Sequence, residues 1–427
     1  MMKSLHIKTA RLIDPANQQD CVTDVFIQQG IITALGNAPN HFNADEIIDA
    51  DGLWLLPGLV DLSVYLREPG LENKATIANE MRVAARSGIT TVCAMPELLS
   101  PIDSGARINL IKEKSLKANA TQVELIGALT DGLKGKQLSN MGSLKKSGCI
   151  AVTQGVEPFS SLDLLYKSMD YAATHDLKLF YQPIEHNLQG DGCAHQGAIA
   201  TRLGLPSISP SVETTAIAQI LMLIEETQIP VHFCRLSCAK SVELLTEAKN
   251  KGLPVTADVA AHQLFLTEMD ISDFNTLCHT LPPLRSIRDR DALRQGIANG
   301  VIDVICSDHQ PHDIDAKLAP FQQSSAGISA LETLLPLTLR LVEEGLLSLQ
   351  QAIACVTQKP AEIINKPKGN LGIGQAADFI LLDPNQYMTI NLDTFQSKGK
   401  NSPFFGWGFN GCVVATIIAG NTIYQAP

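Results

Sequence analysis

The sequence predicts an α/β chain: a (β/α)8 TIM-like barrel carrying a small β-sandwich built from the N- and C-terminal segments. Three observations predict it. From Leu55 onward, eight short apolar runs alternate with stretches of helical spacing, the pattern of parallel strands joined by helices. Before that point, and again from about Gly369, apolar and polar positions alternate over short runs broken by glycine-bearing turns. The length, 427 residues, exceeds one ordinary domain but suits a barrel with an appendage. The expected division is 1–55 with 369–427 for the composite sandwich, and 56–368 for the barrel with additional C-terminal helices.

In the first segment, Thr23–Gly36 shows the alternation most clearly. Barrel strands are expected at Pro57–Val64, Thr90–Met95, Val123–Leu129, Cys149–Thr153, Lys178–Gln182, Pro230–Cys234, Pro254–Val259 and Val301–Ser307. Strands covered on both faces read as continuous apolar runs, which is why these do not alternate. Helical spacing occupies Thr76–Arg86, Leu162–His175, Thr214–Glu226, Ser241–Asn250 and Arg288–Ala298. After the eighth strand come Ile328–Glu344 and Ser348–Val356, the second with Ser348 placed as its N-cap. Strand patterns then resume at Asp378–Asp383, Met388–Leu392 and Val413–Ile418.

Composition narrows the class of protein. Hydrophobic residues make up 45% and charged residues 18%, enough for a large core and too apolar for disorder. A formal net charge of −11 argues against nucleic acid as a partner. No apolar run is long enough to cross a membrane, and the N-terminus reads as a first strand rather than a signal segment. The ten cysteines stand singly inside strand-like runs with no CxxC, as expected in a reducing cytoplasm. No GxxxxGK[ST] or GxSxG occurs, so neither a phosphate loop nor a serine-hydrolase elbow has support.

In a barrel of this kind, chemistry sits at the C-terminal strand ends. The run Leu53–Val60 ends in Asp61, then places Ser63 and Tyr65 at alternate positions, then Arg67 within Arg67-Glu-Pro-Gly70. Further along stand Met95-Pro96, Ala200-Thr-Arg-Leu-Gly204, Pro282-Pro-Leu-Arg285, Ser307-Asp-His-Gln-Pro-His312 and Ser397-Lys-Gly-Lys-Asn-Ser-Pro-Phe-Phe-Gly406. Each fragment alone is weak. As an ordered set over nearly the whole chain, they resemble the dihydroorotases of the amidohydrolase superfamily, and the first and last favour dihydroorotase over hydantoinase relatives.

The resemblance implies a metal site, and this sequence departs from it at nearly every position. The family carries His-x-His on strand one; here the two places hold Ser63 and Tyr65. An acidic ligand on strand four is replaced by Gln154, a histidine on strand five by Gln182, and a histidine on strand six by Arg235. Only Asp308, on strand eight, matches. Arg67 and His312, which the resemblance assigns to the substrate carboxylate, remain, but Glu97 and Leu281 stand where the family uses asparagine. A negative Glu97 there would repel an acidic substrate.

A zinc site needs about three or four N, O or S ligands. Its metal lowers the pKa of bound water from about 15.7 to about 7, which at about 1.36 kcal/mol per unit is roughly 12 kcal/mol of activation. With the ligands replaced, no zinc or other cofactor is expected and Asp308 becomes vestigial. The resemblance therefore implies a catalytically inactive dihydroorotase homologue, acting as a structural or regulatory subunit with the aspartate transcarbamoylase catalytic chain and with copies of itself. Two alternatives remain open: an active cyclic-amide hydrolase with an atypical metal site, and a scaffold related to dihydropyrimidinases.

Asp308 is expected to form an ion pair with Arg235, because a carboxylate left without its metal would otherwise be an uncompensated buried charge. His232 lies three residues before Arg235, an odd offset that predicts it faces away from the pocket, and the same parity turns His309 aside from Asp308. His186, His195, His262 and His279 fall in strand ends or loops, as hydrogen-bonded or exposed residues.

Overall fold

The eight apolar runs fold as parallel strands: β1 (Leu59–Val64), β2 (Ile89–Ala94), β3 (Gln122–Ala128), β4 (Cys149–Thr153), β5 (Lys178–Tyr181), β6 (Val231–Phe233), β7 (Val255–Ala260) and β8 (Val304–Cys306). The computed structural model describes residues 4–97 and 99–427. Each strand pairs with the next in chain order, so the connections are right for a wound barrel rather than an open sheet. Closure between β8 and β1 falls just beyond the strands. The His309 N–H donates to the Ser63 carbonyl at 3.1 Å, and the Tyr65 N–H donates to the His309 carbonyl at 2.9 Å. The seam of the barrel therefore lies where site residues leave it.

Inside the barrel, Val60, Leu62, Cys93, Ile126, Ala151, Phe180, Cys234 and Val304 form one buried apolar cluster, with Ile363 and Ile364 joining it. Outside, helices cover the strands with apolar stripes. The helix Ile77–Arg86 begins where Thr76 Oγ1 accepts from the Asn79 N–H at 3.3 Å, and it buries Ile77, Met81 and Ala84 on one side. Ile77 and Met81 each contribute about 1.5–3 kcal/mol on burial. Ser348 caps the helix Leu349–Ala354 as expected, in a capping box with Gln351.

The expected helix Ile328–Glu344 starts late. The Ala330 N–H is drawn off to His309 Nδ1, a short 3-10 turn covers Leu331–Thr333, and the α-helix runs only over Leu334–Glu343. That start places Pro336 in the first turn, where its missing N–H costs no helical hydrogen bond.

The described residues of the two termini form one eight-stranded sheet. Trp54–Pro57 is its seam, parallel to Leu5–Asp14 and antiparallel to Phe379–Thr389. The sheet curls until the Ile32 N–H meets the Gln375 carbonyl at 2.9 Å, and it encloses Leu5, Leu12, Ile27, Leu55, Phe379 and Ile417 between its layers. The two runs expected at Asp378–Asp383 and Met388–Leu392 are one strand, Phe379–Thr389, with a register break between Asp383 and Tyr387 that interrupts the sequence pattern. Among the described residues, no helix is long and apolar enough to cross a membrane.

Candidate functional site

Ser63, Tyr65, Gln154, Gln182, Arg235 and Asp308 are all buried at the C-terminal ends of their strands. Among the described residues of the mouth, three that are not glycine adopt left-handed backbone: Arg67 at φ 63°, Arg235 at φ 53° and Asp308 at φ 49°. Non-glycine residues rarely sit there, and each such position costs about 1–3 kcal/mol that the surrounding structure must offset. The turn at Arg235 also resets the alternation along β6. His232 consequently does not face away, as its odd offset predicts; it shares the interior with Arg235. Its Nε2 donates to Asp258 Oδ2 at 2.9 Å, its Nδ1 meets Thr256 Oγ1 at 2.9 Å, and its ring lies 4.6 Å from that of Phe180. Period-two reasoning fails because the strand ends before Arg235. His309 does turn aside: it accepts from the Ala330 N–H on Nδ1, so Nε2 carries the proton and donates to Glu80 Oε2 at 3.1 Å.

Arg235 is 1% exposed and dominates the mouth. Its Nη1 donates to Ser63 Oγ at 2.9 Å, and its Nε lies 3.6 Å from Asp308 Oδ1. The second distance is an ion pair without a hydrogen bond. Ser63 links the two, since its hydroxyl donates onward to Asp308 Oδ1 at 3.2 Å. Gln310 Nε2 donates to both Asp308 oxygens, at 3.2 and 3.1 Å. The Tyr65 ring lies beneath two guanidinium groups, 5.9 Å from that of Arg235 and 5.3 Å from that of Arg67. Burial pushes the Asp308 carboxyl up, and the Arg235 charge opposes that shift.

Glu97 completes the charge set. Both its carboxylate oxygens are buried without a hydrogen-bond partner among the described residues, and burial raises its pKa against the pull of Arg235. A Cβ on residue 155 would stand 1.8 Å from Glu97 Oε1, so the left-handed Gly155 makes room for this carboxylate. The mouth thus holds two cations, Arg67 and Arg235, against two acidic groups, Glu97 and Asp308. Glu97 is less a repulsive element facing a substrate than a counter-charge to the guanidinium groups.

Arg67 and His312 face each other, with Nη2 3.2 Å from Nε2. Arg67 Nε donates to the Pro311 carbonyl at 3.1 Å; His312 Nε2 lies 2.9 Å from the Ala326 carbonyl and its Nδ1 3.1 Å from Lys74 Nζ. Burial, with Arg67 nearby, holds His312 down to about 3, so its ring is neutral. Gln154 is spent at both ends, accepting from Thr130 Oγ1 at 2.8 Å and donating to the Leu133 carbonyl at 2.9 Å. Gln182 keeps a buried Oε1 with no donor among the described residues.

The donor set here does not fit a zinc centre: two carboxylates, Glu97 and Asp308, stand among hydroxyls, amides and two guanidinium groups, with no histidine or thiolate beside them among the described residues. Among the described residues, His232, Cys234 and Asp258 bring potential ligand atoms within 4.8 Å of one another. Those atoms are already engaged. Asp258 Oδ1 accepts from the Arg235 N–H at 2.5 Å, His232 uses both nitrogens, and burial pushes the Cys234 thiol up, away from the thiolate a metal needs. The other expected histidines lie apart from the mouth. His195 sits beside Arg285, His279 accepts or donates at Ser324, His262 is buried with an unpartnered Nδ1, and His186 is half-buried on a neighbouring cavity.

The amidohydrolase family model matches residues 41–423. This chain belongs to the amidohydrolase family. It is 43% identical over 422 residues to the dihydroorotase-like protein of Pseudomonas aeruginosa, covering 99% of this chain and 100% of the relative. It is 42% identical to the dihydroorotase-like protein of Pseudomonas putida, covering 99% of each, and 39% identical to the dihydroorotase of Syntrophotalea carbinolica, covering 98% of each. Among solved structures, L-hydantoinase (dihydropyrimidinase) from Arthrobacter aurescens superposes with a TM-score of 0.89 at 23% identity, over 99% of this chain and 96% of that one. That last likeness concerns the fold. The roles of Tyr65 as a shared platform and of Gln310 as a second clasp on Asp308 carried no signal in the sequence, because both depend on contacts across the barrel.

Proposed function

We propose that this family member is a non-catalytic dihydroorotase homologue that serves pyrimidine biosynthesis as a structural or regulatory subunit. The observation that carries it is the Arg235 guanidinium, held by Ser63 and facing Asp308 inside the barrel mouth. A fixed cation there satisfies the vestigial carboxylate electrostatically but supplies no Lewis acid and no activated water. Full-length likeness to proteins named dihydroorotase-like, and to dihydroorotases, supports the family context. All ten cysteines are free, which supports a reducing, cytoplasmic setting.

The partner in this reading is the aspartate transcarbamoylase catalytic chain, together with self-association. Co-expression of the two chains followed by size exclusion and a carbamoylation assay tests it. Co-elution with altered transcarbamoylase activity or stability supports the reading; independent elution with unchanged activity contradicts it. The competing reading is an active cyclic-amide hydrolase, which the same preparations address through dihydroorotate turnover.

A further inference from the structure

The loops that follow β7 and β8 are fastened together from within, on one side of the barrel mouth. Lys317, in the short helix Asp315–Leu318 after β8, is buried. Its Nζ donates to the Thr276, His279 and Ser325 carbonyls at 3.0, 3.4 and 2.6 Å. Thr276 Oγ1 donates back to the Lys317 carbonyl at 2.6 Å, and the His279 and Phe321 rings lie 4.8 Å apart. An ammonium group has one proton for each of those three carbonyls, so the two loops form one unit.

The outer side of that unit is apolar. Phe274 stands two residues before Thr276, and Leu318 follows Lys317, so both flank the joint. Ile314 lies one helical turn before Leu318, and Met269 lies on the preceding turn of the β7 loop. Their exposure runs from 49% for Phe274 to 75% for Leu318. One exposed apolar side chain is ordinary, whereas four on a single rim mark a surface that another molecule covers. Phe274 adds a second sign. Its backbone is left-handed, at φ 56°, an unfavourable setting for a bulky residue. The chain bears that strain to present an aromatic ring to solvent, and aromatic residues concentrate at the centres of protein interfaces.

Charge decides between occupants. The same two loops carry Glu268, Asp270, Asp273, Asp313 and Asp315, and their one basic residue is the buried Lys317. A second copy docked by two-fold symmetry would set this acidic rim against itself, which like charge disfavours. A partner surface with an apolar centre ringed by lysine or arginine matches the rim in both respects. We propose that this rim is the face on which the transcarbamoylase chain docks, through a surface of that kind. The assignment rests on the partner of the reading above and adds where on this chain the contact lies.

Affinity of the full-length chain for the purified transcarbamoylase chain, by biolayer interferometry over a range of salt, tests the proposal alongside the urea midpoint of each variant. Leu318→Ser, Phe274→Asn and Asp273→Lys/Asp315→Lys are each expected to weaken binding about tenfold or more. Binding of the parent chain should fall as salt rises. Asparagine suits left-handed backbone, so Phe274→Asn should keep or raise the urea midpoint while its affinity falls; a residue that merely packs would lose stability instead. Parent-level affinity in Leu318→Ser and Phe274→Asn, with the parent chain itself binding, overturns this face and leaves the partner reading standing. No binding by the parent chain overturns the reading and this face with it. Variants that alter only the self-association of this chain, with transcarbamoylase affinity intact, give the rim to a second copy and overturn the proposal.

Discussion

Arg235 Nε stands 3.6 Å from Asp308 Oδ1, and both side chains are closed off from solvent. Burying two charges is expensive, and their attraction offsets that cost only where the remaining donors and acceptors are also used. Ser63 and Gln310 supply part of that satisfaction, yet Arg235 Nε and Nη2 make no hydrogen bond among the described residues. The pair therefore neutralises the mouth more than it stabilises the fold.

Removing one partner leaves an uncompensated buried charge. Arg235→Met is expected to lower unfolding free energy by about 3–5 kcal/mol, and Arg235→Met/Asp308→Asn to recover about half of that loss or more. Urea denaturation of the single and double variants measures it. Equal losses in the two would contradict the pairing.

Gly155 and Glu97 are coupled in the same way. Gly155→Ala forces a left-handed alanine against the Glu97 carboxylate and is expected to destabilise by about 1–3 kcal/mol. Adding Glu97→Ala opens the space, so the double variant should be more stable than the sum of the single effects indicates. Strict additivity in a double-mutant cycle would show that the two do not touch.

Acid stability contains opposing contributions. Burial lowers His195 and His279 to about 4, and His262 and His312 to about 3, from an unfolded value near 6.5. The native state then holds fewer protons than the unfolded chain in that window, so stability falls as pH drops below about 6.5. Asp61 acts the other way. Burial raises it to about 7 from about 3.9, so its native state holds an extra proton between those values and its contribution is lost as pH rises. Asp61→Asn removes the opposing contribution. Its stability should fall more steeply than the parent's from pH 6.5 to 4.5, measured as urea midpoints; a parallel or shallower slope contradicts the assignment.

The barrel was legible in the sequence because strands covered on both faces are written as apolar runs, and Cys149–Thr153 appears with the expected bounds. The pairing of Arg235 with Asp308 was legible too, since a charge left by one substitution demands another. What sequence periodicity could not carry was the direction of His232. The left-handed turn at Arg235 follows from tertiary closure and resets the alternation on which that inference rests. Likewise, the register break between Asp383 and Tyr387 hid a single long strand as two short ones.

The central claim is that a fixed guanidinium has taken the place of metal chemistry in this barrel. Zinc content and dihydroorotate turnover of the same purified sample, before and after chelation, test it most directly. The account expects far less than one zinc per chain and no turnover above background in either state. Stoichiometric zinc with turnover that chelation abolishes and zinc restores would contradict it.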